Sequence, residues 1–166
     1  MVRNMLRTTV AVGVLLSVGC REQPTEHALL RQVTEFNGLR LELSLDRTLI
    51  PMGDSGNVTI RLRNETAQAV RLDFGSSCQI MPYIETEAGA IQHPEGGAWW
   101  CAAVLTSLTV PAHGVVTRLL VVRGAARAEG LAGASLPPGG YRAYALVGVS
   151  APGIELRSPT IGFEVR

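Results

Sequence analysis

Hydrophobic and polar residues alternate along most of the chain beyond residue 38. In residues 39–46 a leucine stands at every odd position and a polar or charged residue at every even position. Because successive side chains of a β-strand point to opposite faces of a sheet, this alternation predicts a strand whose leucines face a core. Related patterns, bounded by Gly, Pro, Asn or Ser, predict further strands over residues 58–63, 70–74, 81–85, 99–105, 115–122, 141–149 and 161–165. About eight strands of this kind predict an all-β sandwich or barrel.

Two segments interrupt the alternation. Residues 86–98 contain Ala88-Gly89, which is typical of a hairpin turn, and a second loop with the glycine pair Gly96-Gly97. Residues 123–140 are rich in Ala and Gly and have no apolar period, so we expect a long connection there, with at most one helical turn at 125–129.

The first residues have the pattern of an export signal. Arg3 and Arg7 form a positively charged start. The uncharged apolar stretch that follows, residues 8–18, is about half as long as the roughly 20 residues that a membrane-spanning helix needs. We therefore expect a signal peptide over residues 1–19 that is removed from the mature protein.

The end of this signal resembles the lipobox of bacterial lipoproteins. Residues 17–20 read Ser-Val-Gly-Cys, with serine where that motif usually has leucine. The resemblance implies lipidation of Cys20 and attachment to a membrane through that lipid; the alternative is ordinary signal cleavage after Gly19. Arg21, not aspartate, follows the cysteine, so in a two-membrane bacterium we expect the periplasmic face of the outer membrane.

Residues 20–37 join the signal to the first predicted strand. The polar residues at the start of this segment indicate a tether. Leu29, Val33 and Phe36 stand at helical spacing, so a short docked helix is an alternative for its second half. The sandwich domain is then expected over residues 38–166.

Cysteine usage agrees with export. Cys78 and Cys101 remain as an even pair once Cys20 carries lipid, and exported proteins meet oxidising conditions. We therefore expect a disulfide between them. The alternative is a metal site, but the chain has no Cys-x-x-Cys spacing, and its three histidines, among them His27 and His93, are scattered singly. No metal and no cofactor is expected.

Charge argues against nucleic acid as a partner. The signal takes two of the 15 basic residues with it, so that the arginines left nearly balance the 14 acidic residues. Because phosphate backbones are bound by clustered positive charge, we expect no nucleic-acid binding.

Four segments together resemble the BsuPI-type intracellular proteinase inhibitor domain. Its first pair of strands is similar to LELSLDRTLIPMGDSGNVTIRLRNET, with Gly53 in the turn and Asn64 at the close. Its next strand is similar to VRLDFGSSCQIMPYIE, and two of its turns match Pro-Ala-His-Gly at 111–114 and Pro-Gly-Gly-Tyr at 138–141. The resemblance implies a single immunoglobulin-like antiparallel β-sandwich of about seven to nine strands. It also implies proteinase inhibition, although export and a cysteine pair depart from the cytosolic namesake.

One short motif suggests catalysis. Residues 53–56, Gly-Asp-Ser-Gly, match the sequence around the nucleophile of chymotrypsin-like serine proteases, in which the catalytic His and Asp precede the Ser. Here only His27 precedes Ser55, and it lies in the tether, so a catalytic base would have no scaffold. A turn between two strands explains these four residues better. We expect no catalytic residues and no enzymatic activity.

Aromatic residues close to the cysteine pair are the candidate partner-binding residues. Trp99 and Trp100 adjoin the second cysteine, and a strand there would send one of them into the core and the other to solvent. Because large exposed aromatics are enriched in binding hot spots, we expect Tyr83, His93 and the tryptophans to contact a partner. The alternative is a tryptophan that is half-covered by the Gly96-Gly97 loop and has only a packing role. The sequence thus predicts a non-enzymatic envelope lipoprotein whose sandwich binds a protein partner or has a structural role. The alternative is a proteinase inhibitor that acts on a protease through the exposed loop 92–98.

Overall fold

The computed structural model describes residues 30–126, 133–150 and 153–166. In these residues the regular structure is β-strand, with one 3-10 turn at Glu95–Gly97 and no α-helix. The strands are β1 (Leu30–Phe36), β2 (Leu39–Leu45), β3 (Leu49–Ile50), β4 (Ser55–Asn64), β5 (Val70–Phe74), β6 (Met81–Thr86), β7 (Ile91–His93), β8 (Thr106–Val110), β9 (Val115–Gly124), β10 (Ala134–Leu136), β11 (Gly139–Val149), β12 (Ile154–Arg157) and β13 (Ile161–Val165). No helix in this part of the chain is long and apolar enough to cross a membrane.

The strands form two main sheets that share one hydrophobic core. The first sheet has the order β1-β2-β4-β9-β10, and the second has the order β3-β13-β11-β6-β7, with β12 also paired to β11. Strands β5 and β8 make a separate two-stranded sheet. Buried residues from all three sheets belong to a single core cluster. The predicted all-β sandwich is confirmed.

Burial follows the predicted alternation in β4. β4 alternates buried residues with exposed or half-buried ones along its whole length. Its Ile60 and Leu62 are fully buried and lie opposite Leu43 and Leu41 of β2, which are fully buried as well. Because burying one such side chain contributes about 1.5–3 kcal/mol, these paired apolar faces fix the register of β2 against β4.

Asn64 fastens the end of β4 to two loops. Its side chain is fully buried. The Nδ2 amide donates to the backbone oxygens of Val110 and Pro111 at 3.1 and 3.0 Å, and Oδ1 accepts the backbone N–H of Thr66 at 2.9 Å. An asparagine at the close of this strand therefore supplies hydrogen bonds to backbone groups that would otherwise be buried without partners.

Tyr141 fastens the start of β11 in a similar way. Its ring is buried and stacks on Phe163 with the ring centroids 5.6 Å apart, while its hydroxyl donates to the backbone oxygen of Pro137 at 2.8 Å. A tyrosine that reaches back to the backbone a few residues upstream is the tyrosine corner of immunoglobulin-like sandwiches. The Pro-Gly-Gly-Tyr segment thus has a structural role.

The first strand lies where a helix was the alternative. Residues Leu30–Phe36 form β1, which pairs with β2 along its whole length, so the helix is wrong and the sheet begins inside the segment assigned to the tether. Asn37 and Gly38 join the two strands with positive φ angles of 47° and 75°. Asn-Gly is a strong hairpin signal because both residues tolerate positive φ, and it outweighs three apolar residues at helical spacing.

Residues 99–105 do not form the predicted strand. The chain is irregular there, and β8 begins only at Thr106. Apolar composition without clear alternation predicted the strand, whereas these residues lie outside the core, with Leu105 84% exposed. A segment that has no apolar face to bury gains little stability from pairing as a strand in a sheet.

The connection through residues 46–54 is longer than a simple turn. β2 and β4 pair antiparallel, but the chain between them crosses to the second sheet, where β3 lies parallel to β13. β10 is likewise parallel to β9, so the sandwich is not purely antiparallel.

The helical turn considered at 125–129 lies mostly outside the described residues, and Ala125 and Ala126 are not helical.

Candidate functional site

The candidate site begins at the β6–β7 hairpin. The predicted turn at Ala88-Gly89 is present: Gly89 has a φ of 87°, and the backbone N–H of Thr86 donates to the oxygen of Ala90 at 2.9 Å. After β7 the chain enters the 3-10 turn, in which Gly96 and Gly97 have φ angles of 75° and 80°. Glycine is needed at both positions because other residues are strained at such angles.

Trp99 anchors the chain after this turn. Its indole Nε1 donates to the backbone oxygen of Pro82 in β6 at 3.2 Å. The ring meets His93 edge to face with centroids 5.1 Å apart, and it meets Tyr83 in the same manner at 6.5 Å. Trp99 is thus half-buried and is the inward-facing member of the tryptophan pair.

The disulfide anchors the chain on the other side. Cys78 and Cys101 are bonded, with their Cα atoms 5.4 Å apart, which confirms the predicted pairing. Ser77 and Ala102 reinforce it, because the backbone N–H of each donates to an oxygen of the other, at 3.0 and 2.9 Å. The residue between the two anchors, Trp100, is therefore held at both of its neighbours.

Trp100 itself faces solvent. Its side chain is 94% exposed, the largest value among the exposed large hydrophobic residues of the described chain. The split between an inward and an outward tryptophan is as expected, although an irregular segment and not a strand produces it. Trp100 borders a groove of about 450 Å³, called the aromatic groove here, which is lined by His93, Pro94, Glu95, Gly96, Ala98, Trp99 and Trp100.

His93 lies at the base of the aromatic groove. It is only 3% exposed, and among the described residues its Nε2 atom is buried without a hydrogen-bond partner. Burial lowers the pKa of His93 because a charged imidazole is poorly solvated there. The side chain is therefore neutral at pH 7.

The site extends to two residues that the sequence analysis missed. Tyr83 stacks on Tyr144 of β11 with the ring centroids 5.1 Å apart, and the Arg157 guanidinium carbon lies 4.1 Å above the Tyr144 ring. The structure thus brings Tyr83, His93 and both tryptophans together. The available signal was the phase of β11, because Tyr144 falls at a polar position between the inward-facing Ala143 and Ala145.

Residues that could suggest metal or catalytic chemistry have the following settings in the described part of the chain. No group of three or more His, Cys, Asp or Glu side chains in this part of the chain could hold a metal ion. Ser55 begins β4, opposite Arg123, and the Asp54 backbone N–H closes a turn on the oxygen of Pro51 at 3.0 Å. The carboxylate of Glu85 forms an ion pair with Arg142 at 2.9 Å.

The expected lipid attachment site lies outside the described residues. Cys20 belongs to the segment before residue 30, as do the expected signal peptide and the start of the tether. His27, the histidine that precedes Ser55, also lies in this segment.

Comparison with known proteins identifies no family. No family model matches the chain, and no curated protein matches it. Partly similar solved structures include a β-glucosidase from Listeria innocua bound to glucose, at 14% identity, a TM-score of 0.41 and coverage of 76% of this chain and 16% of that one. A β-glucosidase from Erythrobacter marinus has 11% identity, a TM-score of 0.42 and coverage of 75% and 15%. The alkylpurine DNA glycosylase AlkC of Pseudomonas fluorescens, bound to DNA, has 13% identity, a TM-score of 0.40 and coverage of 82% and 30%. The chain thus spans less than a third of each of these proteins, and at such values the likeness says nothing about activity.

Proposed function

We propose that this protein is a non-enzymatic lipoprotein of the bacterial cell envelope that binds a protein partner through the aromatic groove. The observation that supports this is Trp100, a large apolar side chain that is 94% exposed on a segment held at both ends. Exposed apolar surface that borders a groove is typical of binding sites. Tryptophan is also among the residues most enriched in binding hot spots.

The energy available from this residue is large. Covering a tryptophan removes about 150–250 Å² from water, which at roughly 25 cal/mol per Å² amounts to about 4–6 kcal/mol before the costs of association. Those costs include the ordering of loops and side chains at the interface. Here the hydrogen bond of Trp99 to Pro82 and the disulfide of Cys101 have already fixed the backbone on both sides. The segment is thus largely ordered before it meets a partner.

Capture of partners from an envelope extract tests this function. We expect the wild-type mature protein to retain a specific protein and the Trp100→Ala variant to lose it, with a weakening of at least about 1–2 kcal/mol. Leu119→Ala is the matched control, because Leu119 is a large apolar residue of β9 that is 61% exposed and does not line the groove. Equal capture by wild type and Trp100→Ala would contradict the proposal.

The membrane attachment is a proposal of its own. The signal-like residues 1–19 and the cysteine that follows support lipidation of Cys20 and retention on the periplasmic face of the outer membrane. The intact mass of the native protein tests it, and a lipid-modified cysteine at the new N-terminus is expected. An unmodified residue 20, or a Cys20→Ala variant that stays on the membrane, would contradict it.

Proteinase inhibition is the second candidate function. The loop 92–98 is exposed at residues 95–98 and is fixed at its base by Trp99, as an inhibitory loop needs to be. Its tip, however, is a closed turn in which the Gly97 N–H donates to the Pro94 oxygen at 2.9 Å, whereas peptides that add to a protein surface as strands are extended. Stoichiometric inhibition of an envelope serine protease, abolished by shortening this loop, would favour inhibition over docking.

A further inference from the structure

The aromatic groove has a single charged group. Glu95 is exposed and is the one ionisable carboxylate among the groove residues. Among the described residues no arginine lies within ion-pair distance of Glu95, in contrast to Glu85 and Asp73, whose carboxylates both lie 2.9 Å from an arginine. The groove therefore presents one negative charge that the described chain does not neutralise.

The remaining groove surface suits a cation on an apolar stem. Tryptophan has the strongest attraction for a cation placed over its ring, and the side chain of Trp100 is free to receive one. Ala98, which is exposed, adds apolar surface on which methylene groups can lie. His93 is neutral at pH 7, so the groove carries no positive charge that would repel a cation.

The same chain already places a guanidinium over an aromatic ring nearby. Arg157 covers Tyr144 at 4.1 Å, and Tyr144 stacks on Tyr83, which in turn meets Trp99. Arginine suits such a place better than lysine, because its planar guanidinium stacks on aromatic faces and can donate two parallel hydrogen bonds to a carboxylate.

We infer that the aromatic groove takes an arginine side chain of its protein partner, stacked against Trp100 with Glu95 as its counter-ion. This inference rests on the proposed function, since it names the chemistry of the partner at the same surface. The methylene stem of the arginine lies along the apolar surface of the groove. Its guanidinium stacks on the Trp100 ring and pairs with the Glu95 carboxylate, so both parts of the side chain have a complementary surface.

Titration of the mature protein with two short peptides tests this inference. The first is acetyl-Gly-Leu-Arg-Leu-Gly-amide, and the second replaces arginine by citrulline, which has nearly the same shape and no charge. The chain has two tryptophans, so their indole N–H signals in NMR spectra report on the groove without ambiguity. We expect saturable shifts of these signals with the arginine peptide and about fivefold weaker binding of the citrulline peptide.

Two carboxylate variants separate the role of Glu95 from general charge. Glu95→Gln should weaken binding of the arginine peptide by about two- to fivefold. Glu87→Gln should leave it unchanged, because Glu87 is an exposed carboxylate of the same hairpin that does not line the groove. Equal binding of both peptides, equal binding by Glu95→Gln and wild type, or no shift with either peptide would overturn the inference.

The outcomes also separate this inference from the proposed function. If Trp100→Ala loses the envelope partner while the groove shows no preference for arginine, the inference alone is overturned. If Trp100→Ala captures the partner as wild type does, the proposed function is overturned whatever the peptides show.

Discussion

Removing the disulfide should lower stability without changing the fold. Cys101 is exposed and Cys78 is half-buried, so serine at both positions leaves no cavity in the core. The cost should instead come from the unfolded chain, which gains freedom when the link is lost. The two cysteines are 23 residues apart, and a ring of that size corresponds to about 3 kcal/mol in the chain-entropy treatment.

The folded state should keep the loop closed in the double variant Cys78→Ser/Cys101→Ser. The hydrogen bonds between Ser77 and Ala102 remain, and β6 stays paired between β11 and β7. Urea unfolding followed by tryptophan fluorescence measures the change. With a slope of about 1–3 kcal/mol per molar, the midpoint should fall by roughly 1–3 M while the far-ultraviolet spectrum stays that of a β protein.

Two results would refute this reasoning. A loss below about 1 kcal/mol would mean that the disulfide does not restrict the unfolded chain as its ring size implies. Loss of the β spectrum in the double variant would mean that the bond holds the fold itself and not only its loop. Wild-type protein reduced under native conditions provides the matched control, since it removes the bond without changing the sequence.

Three further predictions concern single side chains. Asn64→Ala should cost about 2–4 kcal/mol in thermal or urea unfolding, because the oxygens of Val110 and Pro111 lose a donor; a cost below about 1 kcal/mol would contradict the role given to Asn64. Burial lowers the pKa of His93 in the folded protein, so the stability that its neutral form contributes is present above pH 6.5 and is lost as the pH falls through the lowered folded pKa. The His93→Phe variant should lack this part of the pH dependence, and unfolding curves from pH 7 to pH 5 that change equally in both proteins would show otherwise. Ser55→Ala should change stability by no more than about half a kcal/mol, and stoichiometric labelling of Ser55 by a fluorophosphonate probe would overturn the non-enzymatic assignment.

The strands that could be predicted are those with one face in the core. Residues 70–74 and 161–165 were predicted with the bounds that the structure gives to β5 and β13, and residues 39–46 with bounds one residue longer than those of β2. Burial of alternate side chains is the largest favourable contribution to such strands, and it leaves a direct trace in the sequence. The alternation of apolar and polar residues therefore suffices to identify the all-β sandwich.

The strands that were missed lie at sheet edges or are very short. β3 has two residues and β12 has four, so neither is long enough to show a period. β1 owes its strand conformation to pairing with β2 and to the Asn37-Gly38 turn, not to an alternation of its own. Such strands depend on a partner that is distant in the chain or on a turn, and the hydrophobic pattern does not record either.

The residues of the candidate site could be predicted from the sequence, but the contacts that hold them together could not. The proximity of Tyr83, His93, Trp99 and Trp100 follows from a cysteine pair that closes the segment on itself. The sequence could not show that the Trp99 indole would donate a hydrogen bond to the Pro82 oxygen, because that contact depends on where the loop packs over β6. It also could not show that Tyr144 and Arg157 would continue the stack, since both lie far along the chain.

Photochemical crosslinking in the living cell tests the central claim most directly. A photoreactive phenylalanine derivative placed at position 100 should form a covalent adduct with a discrete protein of the envelope, because this position lies at the contact. The same derivative at position 119, on the exposed face of β9, should form no such adduct. Absence of an adduct at position 100, or the same adducts at both positions, would contradict a binding surface built around Trp100.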